Sequence, residues 1–153
     1  IANGIVIIKM SYGLAMWGNC QGYLRKALQV QQLKAARAVC GYQSYYWSTR
    51  RLLSKCGWLS VNQLYWQQVM MTTHKILISK RPVNIHARMV ARHEHGTRAA
   101  AGVSRGFGNQ TVKRSFNYSA LDYNKLPAKL RETVSLTGFK AQLRRWVQSN
   151  VII

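Results

Sequence analysis

The stretch from Val61 to Ser79 is apolar on almost every side. Val61, Leu64, Tyr65, Val69, Met70, Met71, Ile76 and Leu77 leave only Gln63, Gln67 and His74 as a narrow polar strip. A helix of that kind needs neighbours all round, so it belongs at the centre of a bundle. Ser60 stands at its N-cap position, and Gly57 closes the segment before it.

The rest of the chain supplies covering helices. Residues 4–18 read as a first helix, with Ile5, Ile8, Tyr12, Ala15 and Met16 on one side and Gly18-Asn19 at its end. Residues 21–40 read as a second, with Leu24, Ala27, Leu28, Ala35, Ala38 and Val39 on an apolar stripe that Gln31 interrupts. That glutamine is a candidate for a hydrogen bond to a neighbouring helix. Residues 48–56 form a short third helix, capped by Ser48 or Thr49. Pro82 opens another short helix ending near Arg92, and Pro127 one that runs through Arg131. Ser135 caps a last helix whose Leu136, Phe139, Leu143, Trp146 and Val147 share a face. Residues 111–118 alternate weakly and read as a short strand. The expected fold is mainly α: an orthogonal helical bundle of about five or six helices with a small β element near the C-terminal third. We read residues 1–153 as one basic domain: a helical bundle over 1–92, a flexible basic arm over 93–114, and a C-terminal strand and helix part over 115–153. Ile1 in place of an initiator Met suggests a piece of a longer chain.

Charge decides the function class. Lys and Arg total 23 against 3 Asp and Glu, a net charge of +20. Such a chain repels itself, and a polyanion relieves the repulsion. Phosphate backbones fit, because Lys and Arg contacts release condensed counterions. A membrane-active cationic protein is the rival, but the cations are spread along the whole chain and no membrane partner is expected.

The same imbalance excludes chemistry. Two-metal polymerases and nucleases need clustered carboxylates, and Glu94, Asp122 and Glu132 are scattered. No cofactor and no metal is expected. His93-Glu94-His95 lacks a third ligand and reads as a solvated loop. Cys56 and His74 lack an orienting partner for nucleophilic catalysis. Cys20, Cys40 and Cys56 are too widely spaced for a zinc knuckle and read as reduced thiols of an intracellular protein. The run Gly102 to Gly108 lacks the ending of a phosphate-binding loop.

Aromatics interleave with cations where Tyr42, Tyr45, Tyr46 and Trp47 precede Arg50 and Arg51. Such rings can stack on unpaired bases while guanidinium groups hold phosphates. They can equally fill the gap between helices. The candidate phosphate contacts are Lys34, Arg37, Arg50, Arg51, Lys55, Arg98, Arg105, Lys113, Arg114, Lys140, Arg144 and Arg145.

Several segments, in order, carry a family resemblance. They are Ser11-Tyr12-Gly13-Leu14-Ala15-Met16-Trp17-Gly18, the run Leu28 to Val39, the run Arg51 to Val61, Thr97-Arg98-Ala99-Ala100, Ser115-Phe116, Tyr123-Asn124-Lys125-Leu126-Pro127 and Phe139-Lys140. Together they resemble the region that follows the polymerase core in LINE-type, non-LTR retrotransposon reverse transcriptases of the jockey and chicken-repeat kind. The resemblance implies an upstream endonuclease and an upstream palm with paired aspartates. No catalytic residue is carried over, because no such region is here. It implies a segment that holds template RNA or target DNA by phosphate contacts, beside the upstream polymerase core, in the nucleus and in cytoplasmic ribonucleoprotein. The competing expectations are a small basic structural subunit of a ribonucleoprotein and an inert truncated relic. A relic would expose the apolar residues of 4–18.

Replacing Arg98, Arg105, Lys113 and Arg114 together with Ala is expected to weaken RNA binding and flatten its salt dependence, by up to about four phosphate equivalents. An unchanged slope in a salt titration would remove the arm from the contact surface.

Overall fold

A computed structural model describes residues 3–41, 46–90 and 116–150. The chain is mainly helical, with no strand among the described residues. A π-helical turn, Asn3–Ile7, leads into α1 (Ile8–Ser11) and α2 (Leu14–Trp17). Then come α3 (Gly22–Cys40), α4 (Thr49–Cys56), α5 (Val61–Ser79) and α6 (Val83–Val90). After the undescribed residues, α7 (Phe116–Ser119) runs into a 3-10 turn (Ala120–Lys125), α8 (Ala128–Arg131) and α9 (Leu136–Asn150).

Helix α5 is central, as its composition requires. It packs against α2, α3, α9 and the 3-10 turn, with α1 and α6 touching it more lightly. Its core partners include Leu14, Phe116, Tyr123, Leu126, Leu130, Phe139, Leu143 and Val147. Its polar strip is buried as well: Gln63, Gln67 and His74 are all inside. Gln63 closes a capping box, accepting from the Ser60 amide at 3.0 Å while Ser60 Oγ accepts from the Gln63 amide at 3.3 Å. A second, smaller core joins Ala36 of α3 to Leu52, Leu53 and Trp58.

Three expectations change. The first helix is broken: Tyr12 is extended and Gly13 takes a left-handed φ of 61°, which only glycine adopts freely. Leu14 and Ala15 turn inward, while Ile5 (55% exposed), Ile8 (65%), Tyr12 (85%) and Met16 (66%) face out. Gly18 then lies so close to α5 that a methyl group there would collide with the Leu14 carbonyl and the Tyr65 ring. The Tyr65 hydroxyl donates to Ser119 Oγ, which ties α5 to α7.

The second change is the face of α3. Leu24 and Val39 are exposed, and Gln32 and Ala36 are fully buried. The glutamine that bonds a neighbour is therefore not Gln31, which is exposed. Gln32 Nε2 donates to the Leu59 carbonyl at 2.8 Å, and Gln29 Oε1 accepts from the Val61 amide at 2.9 Å. A buried polar side chain satisfied at both ends is compatible with a core position, so hydropathy alone chose the wrong stripe. The third change is the expected strand over 111–118. Residues 116–118 are helical and 111–115 lie outside the described residues.

Helix α9 follows its pattern more closely. Phe139, Leu143 and Val147 are fully buried, Trp146 is half-buried against Trp66 at 6.2 Å, and Leu136 is exposed. Phe139 stacks on His74, ring centres 3.7 Å apart. His74 Nε2 lies 2.9 Å from the Thr133 carbonyl, which can only accept, so this nitrogen carries the proton. Nδ1, 2.7 Å from the Tyr123 hydroxyl, then accepts from it. Burial pushes the Tyr123 hydroxyl up to about 12, which keeps its proton available for that bond.

Burial lowers the His74 pKa, against a smaller upward pull from the Thr133 carbonyl. The unfolded chain, with an ordinary imidazole near about 6.5, therefore binds the proton at a higher pH than the fold does. Stability is full above that value and falls as pH drops through it toward the lower, folded pKa. With only three acids in the chain, carboxylates add little to this loss. In urea melts at pH 7.5 and pH 5.5, His74→Gln is expected to reduce the pH dependence of the midpoint. An identical pH dependence in the variant would place the titration at another group.

Candidate nucleic-acid interface

Two helices aim cations at one turn. Helix α4 starts at Ser48, whose Oγ accepts from the Arg51 amide at 3.3 Å, and stops at Gly57 with a left-handed φ of 66°. Leu52 and Leu53 are buried on the side of α3, which leaves Arg50, Arg51 and Lys55 in solvent. On α9, the inward run Phe139, Leu143 and Val147 turns Lys140, Arg144 and Arg145 outward. Arg144 Nη2 donates to the Gly57 carbonyl at 2.7 Å, which brings α9 against the end of α4.

Two clefts flank the turn Gly57-Trp58-Leu59. One, of about 320 Å³, is lined by Lys140, Arg144, Gln67 and Gln68 beside that turn. The other, of about 280 Å³, is lined by Arg50, Ser54, Gln63 and Gln148. The exposed cations, the Ser54 hydroxyl and the Gln148 amide are donors of the kind that phosphate and sugar oxygens take. Arg51 lies outside both clefts, its guanidinium 5.0 Å from the centre of the Trp47 ring. That distance is within the range of a cation–π contact, made on the exposed side of α4. Tyr46 is exposed, and Tyr42 and Tyr45 lie outside the described residues.

Of the residues expected from sequence, the fold therefore gathers Arg50, Lys140 and Arg144. Lys34, Lys55 and Arg145 are exposed but line neither cleft, and Arg37 is half-buried on α3. Arg98, Arg105, Lys113 and Arg114 lie outside the described residues, as do His93, Glu94 and His95. Among the described residues no three His, Cys, Asp or Glu side chains gather as a metal site would require. Cys56 and His74 do not meet: the imidazole faces Tyr123 and Thr133, and the thiol faces Cys40 and Ala36.

A third cleft, of about 430 Å³, was not foreseen. Arg25, Lys26 and Gln29 of α3 line it with Thr49, Val61 and Asn62 from the starts of α4 and α5. The signal was present in the glutamine spacing. Arg25, Gln29, Gln32 and Ala36 recur at helical intervals, so once Gln32 faces the core, Arg25 stands at the end of the same face. A fourth and larger cleft, about 800 Å³, has a different chemistry. Met16, Ile76, Pro82, Val83, Ile85 and Phe116 make it mainly apolar, with Lys75 and Arg81 also on its wall.

Carboxylates are scarce near these cations. Asp122 pairs with Lys125 at 2.7 Å, one turn apart in the 3-10 segment, and Glu132 is exposed. Among the described residues no helix is long and apolar enough to cross a membrane. No family model, no curated protein and no solved structure matches the chain.

The clustering makes a specific demand. The triple variant Arg50→Ala, Lys140→Ala, Arg144→Ala is expected to lower the log–log salt slope of RNA binding by about 2 to 3. The equally charged control Lys34→Ala, Lys55→Ala, Arg145→Ala is expected to lower it by less. Equal losses in salt titrations of the two would reduce the interface to net charge.

Proposed function

We propose that this chain is a nucleic-acid-binding helical segment of the kind that follows the polymerase core in non-LTR retrotransposon reverse transcriptases. It holds template RNA or target DNA by phosphate contacts and performs no chemistry of its own. The observation that carries the reading is the convergence of Arg50, Lys140 and Arg144 on the Gly57–Leu59 turn, in a chain of net charge +20. Binding is sequence-tolerant, because the gathered groups suit backbone oxygens and no base-reading motif is visible.

The family assignment draws support from how the resembling segments fit together. Gln29 and Gln32, in the run Leu28 to Val39, bond the backbone of Leu59 and Val61 in the run Arg51 to Val61. Leu14 and Gly18, in the run Ser11 to Gly18, lie against α5, with Gly18 close to Tyr65. Residues that carry the resemblance are thus the ones that hold three helices together. The exposed Ile5, Ile8, Tyr12 and Met16 favour a chain whose N-terminal segment rests on a larger body, which in this reading is the upstream polymerase core. The same exposure would mark an inert relic.

Fluorescence anisotropy of the purified chain against an RNA hairpin, a single-stranded RNA and an RNA–DNA hybrid, across a salt titration, separates the readings. A steep slope with preference for one ligand is expected. Equal weak binding to all three, lost at modest salt, would leave only unspecific charge and favour the relic.

A further inference from the structure

Cys40 and Cys56 are the last residues of α3 and α4. Nothing in their spacing suggests a pair, yet the packing of α4 on α3 brings their sulfurs to 3.4 Å. The Cys56 thiol also faces the Ala36 carbonyl at 3.9 Å. A carbonyl only accepts, so Cys56 is the donor toward Ala36, while across the sulfur–sulfur contact either thiol can donate. Both cysteines are half-buried at the margin of the Ala36, Leu52, Leu53 and Trp58 cluster. They are thus packed enough to be held together and open enough for a small reagent. Cys20 is not part of this cluster.

We propose that Cys40 and Cys56 form a native dithiol site, which a low-molecular-weight disulfide closes to an intramolecular disulfide joining the ends of the two basic helices. A disulfide needs the sulfurs about 1.4 Å closer than they stand, at about 2.05 Å. The exchange balances in two steps. One cysteine thiolate attacks a sulfur of the added disulfide, breaking its S–S bond and releasing one small thiolate. The second cysteine gives its proton to water and attacks the first, forming the protein S–S bond and releasing the second small thiolate. The protein loses two S–H bonds, and the added disulfide is reduced to two thiols. Burial raises the Cys56 thiol to about 11, with the neighbouring Cys40 adding to the rise.

The new bond would close a ring over residues 40–56. That ring contains Tyr46 and Trp47 and the cations Arg50, Arg51 and Lys55. Its closure restricts the unfolded chain and asks of the fold only the approach of the two sulfurs.

The test uses the full chain with oxidised glutathione, followed by alkylation and peptide mapping under non-reducing conditions. The expected product links Cys40 to Cys56, leaves Cys20 alkylated, and melts about 5–10 °C higher until dithiothreitol reverses it. Cys20→Ser should behave like the parent chain, and Cys40→Ser or Cys56→Ser should form no internal link. Stable glutathione adducts on both Cys40 and Cys56, or a link that includes Cys20, would overturn the pairing. So would an internal link that lowers the melting temperature, because the folded positions of the two sulfurs would then not suit the bond. Phenylarsine oxide gives a second reading without redox chemistry: one arsenic bridges two thiols with loss of one water. One equivalent bound by the Cys20→Ser chain and none by Cys20→Ser/Cys56→Ser is expected. Equal uptake by both would remove the dithiol.

Discussion

Two glutamines on α3 hold the turn on which the rest of the molecule is built. Gln32 donates to the Leu59 carbonyl, and Gln29 accepts from the Val61 amide while its own Nε2 donates to Gln32 Oε1 at 2.8 Å. The two amides form one small network. It satisfies backbone groups that the start of α5 would otherwise leave buried and unpaired. Each such bond contributes only about 1 kcal/mol net, but an unmade one costs about 1–3 kcal/mol. Direction matters more than magnitude here. The network fixes where α5 begins relative to α3, and α5 then sets the place of α2, α9 and the 3-10 turn around it. The Gly57 carbonyl, two residues before Leu59, receives Arg144 from α9. The basic clefts therefore inherit their geometry from a polar contact in the core.

That dependence reconciles two demands that conflict in a chain of this composition. A net charge of +20 favours expansion. The fold answers by using neutral amides, hydroxyls and one imidazole for its internal polar bonds, and no Lys or Arg stands among the fully buried side chains of the described residues. Ser60, Gln63, Gln67, Thr73, His74 and Ser119 are the buried polar residues beside Gln32, and none of them is a cation. His74 shows the logic most clearly. It is stacked on Phe139 and bonded at both ring nitrogens, so it fills a core site as a neutral ring. Burying a charge there would cost far more than burying a satisfied imidazole.

What the sequence made legible was local chemistry. Ser48 and Ser60 cap the helices expected of them, Ser135 Oγ accepts from the Gly138 amide at 3.4 Å at the start of α9, and Gly57 ends α4. The Phe139, Leu143 and Val147 face was readable because α9 has one wet side and one dry side. Helix α3 was misread because its inward face mixes Gln29 and Gln32 with Leu33 and Ala36, and hydropathy ranks glutamine as a surface residue. Residues 4–18 were misread because periodicity says nothing about a glycine that takes a left-handed turn in mid-helix. The candidate site was legible in kind but not in membership. Any cation could be a phosphate contact from sequence; only the Gly57 turn distinguishes Arg50, Lys140 and Arg144 from Lys34 and Arg145, and only the register of α3 brings in Arg25.

The two surfaces left over differ in chemistry, and the difference bears on how a strand would lie. Cations gather where α4 and α9 meet at Gly57, while exposed apolar side chains gather on the segment from Ile5 to Trp17. A polyanion gains little from Ile8 or Tyr12, and a protein partner gains little from a row of uncompensated arginines. Each surface thus selects a different class of neighbour. In the proposed setting the apolar segment is spent on the larger protein and the basic turn is left for nucleic acid. The two meet at Ile7, Ile8 and Ser11, which share a cleft with Lys140 and Arg144. In that proposed setting a strand held at the basic turn runs beside whatever covers the apolar segment.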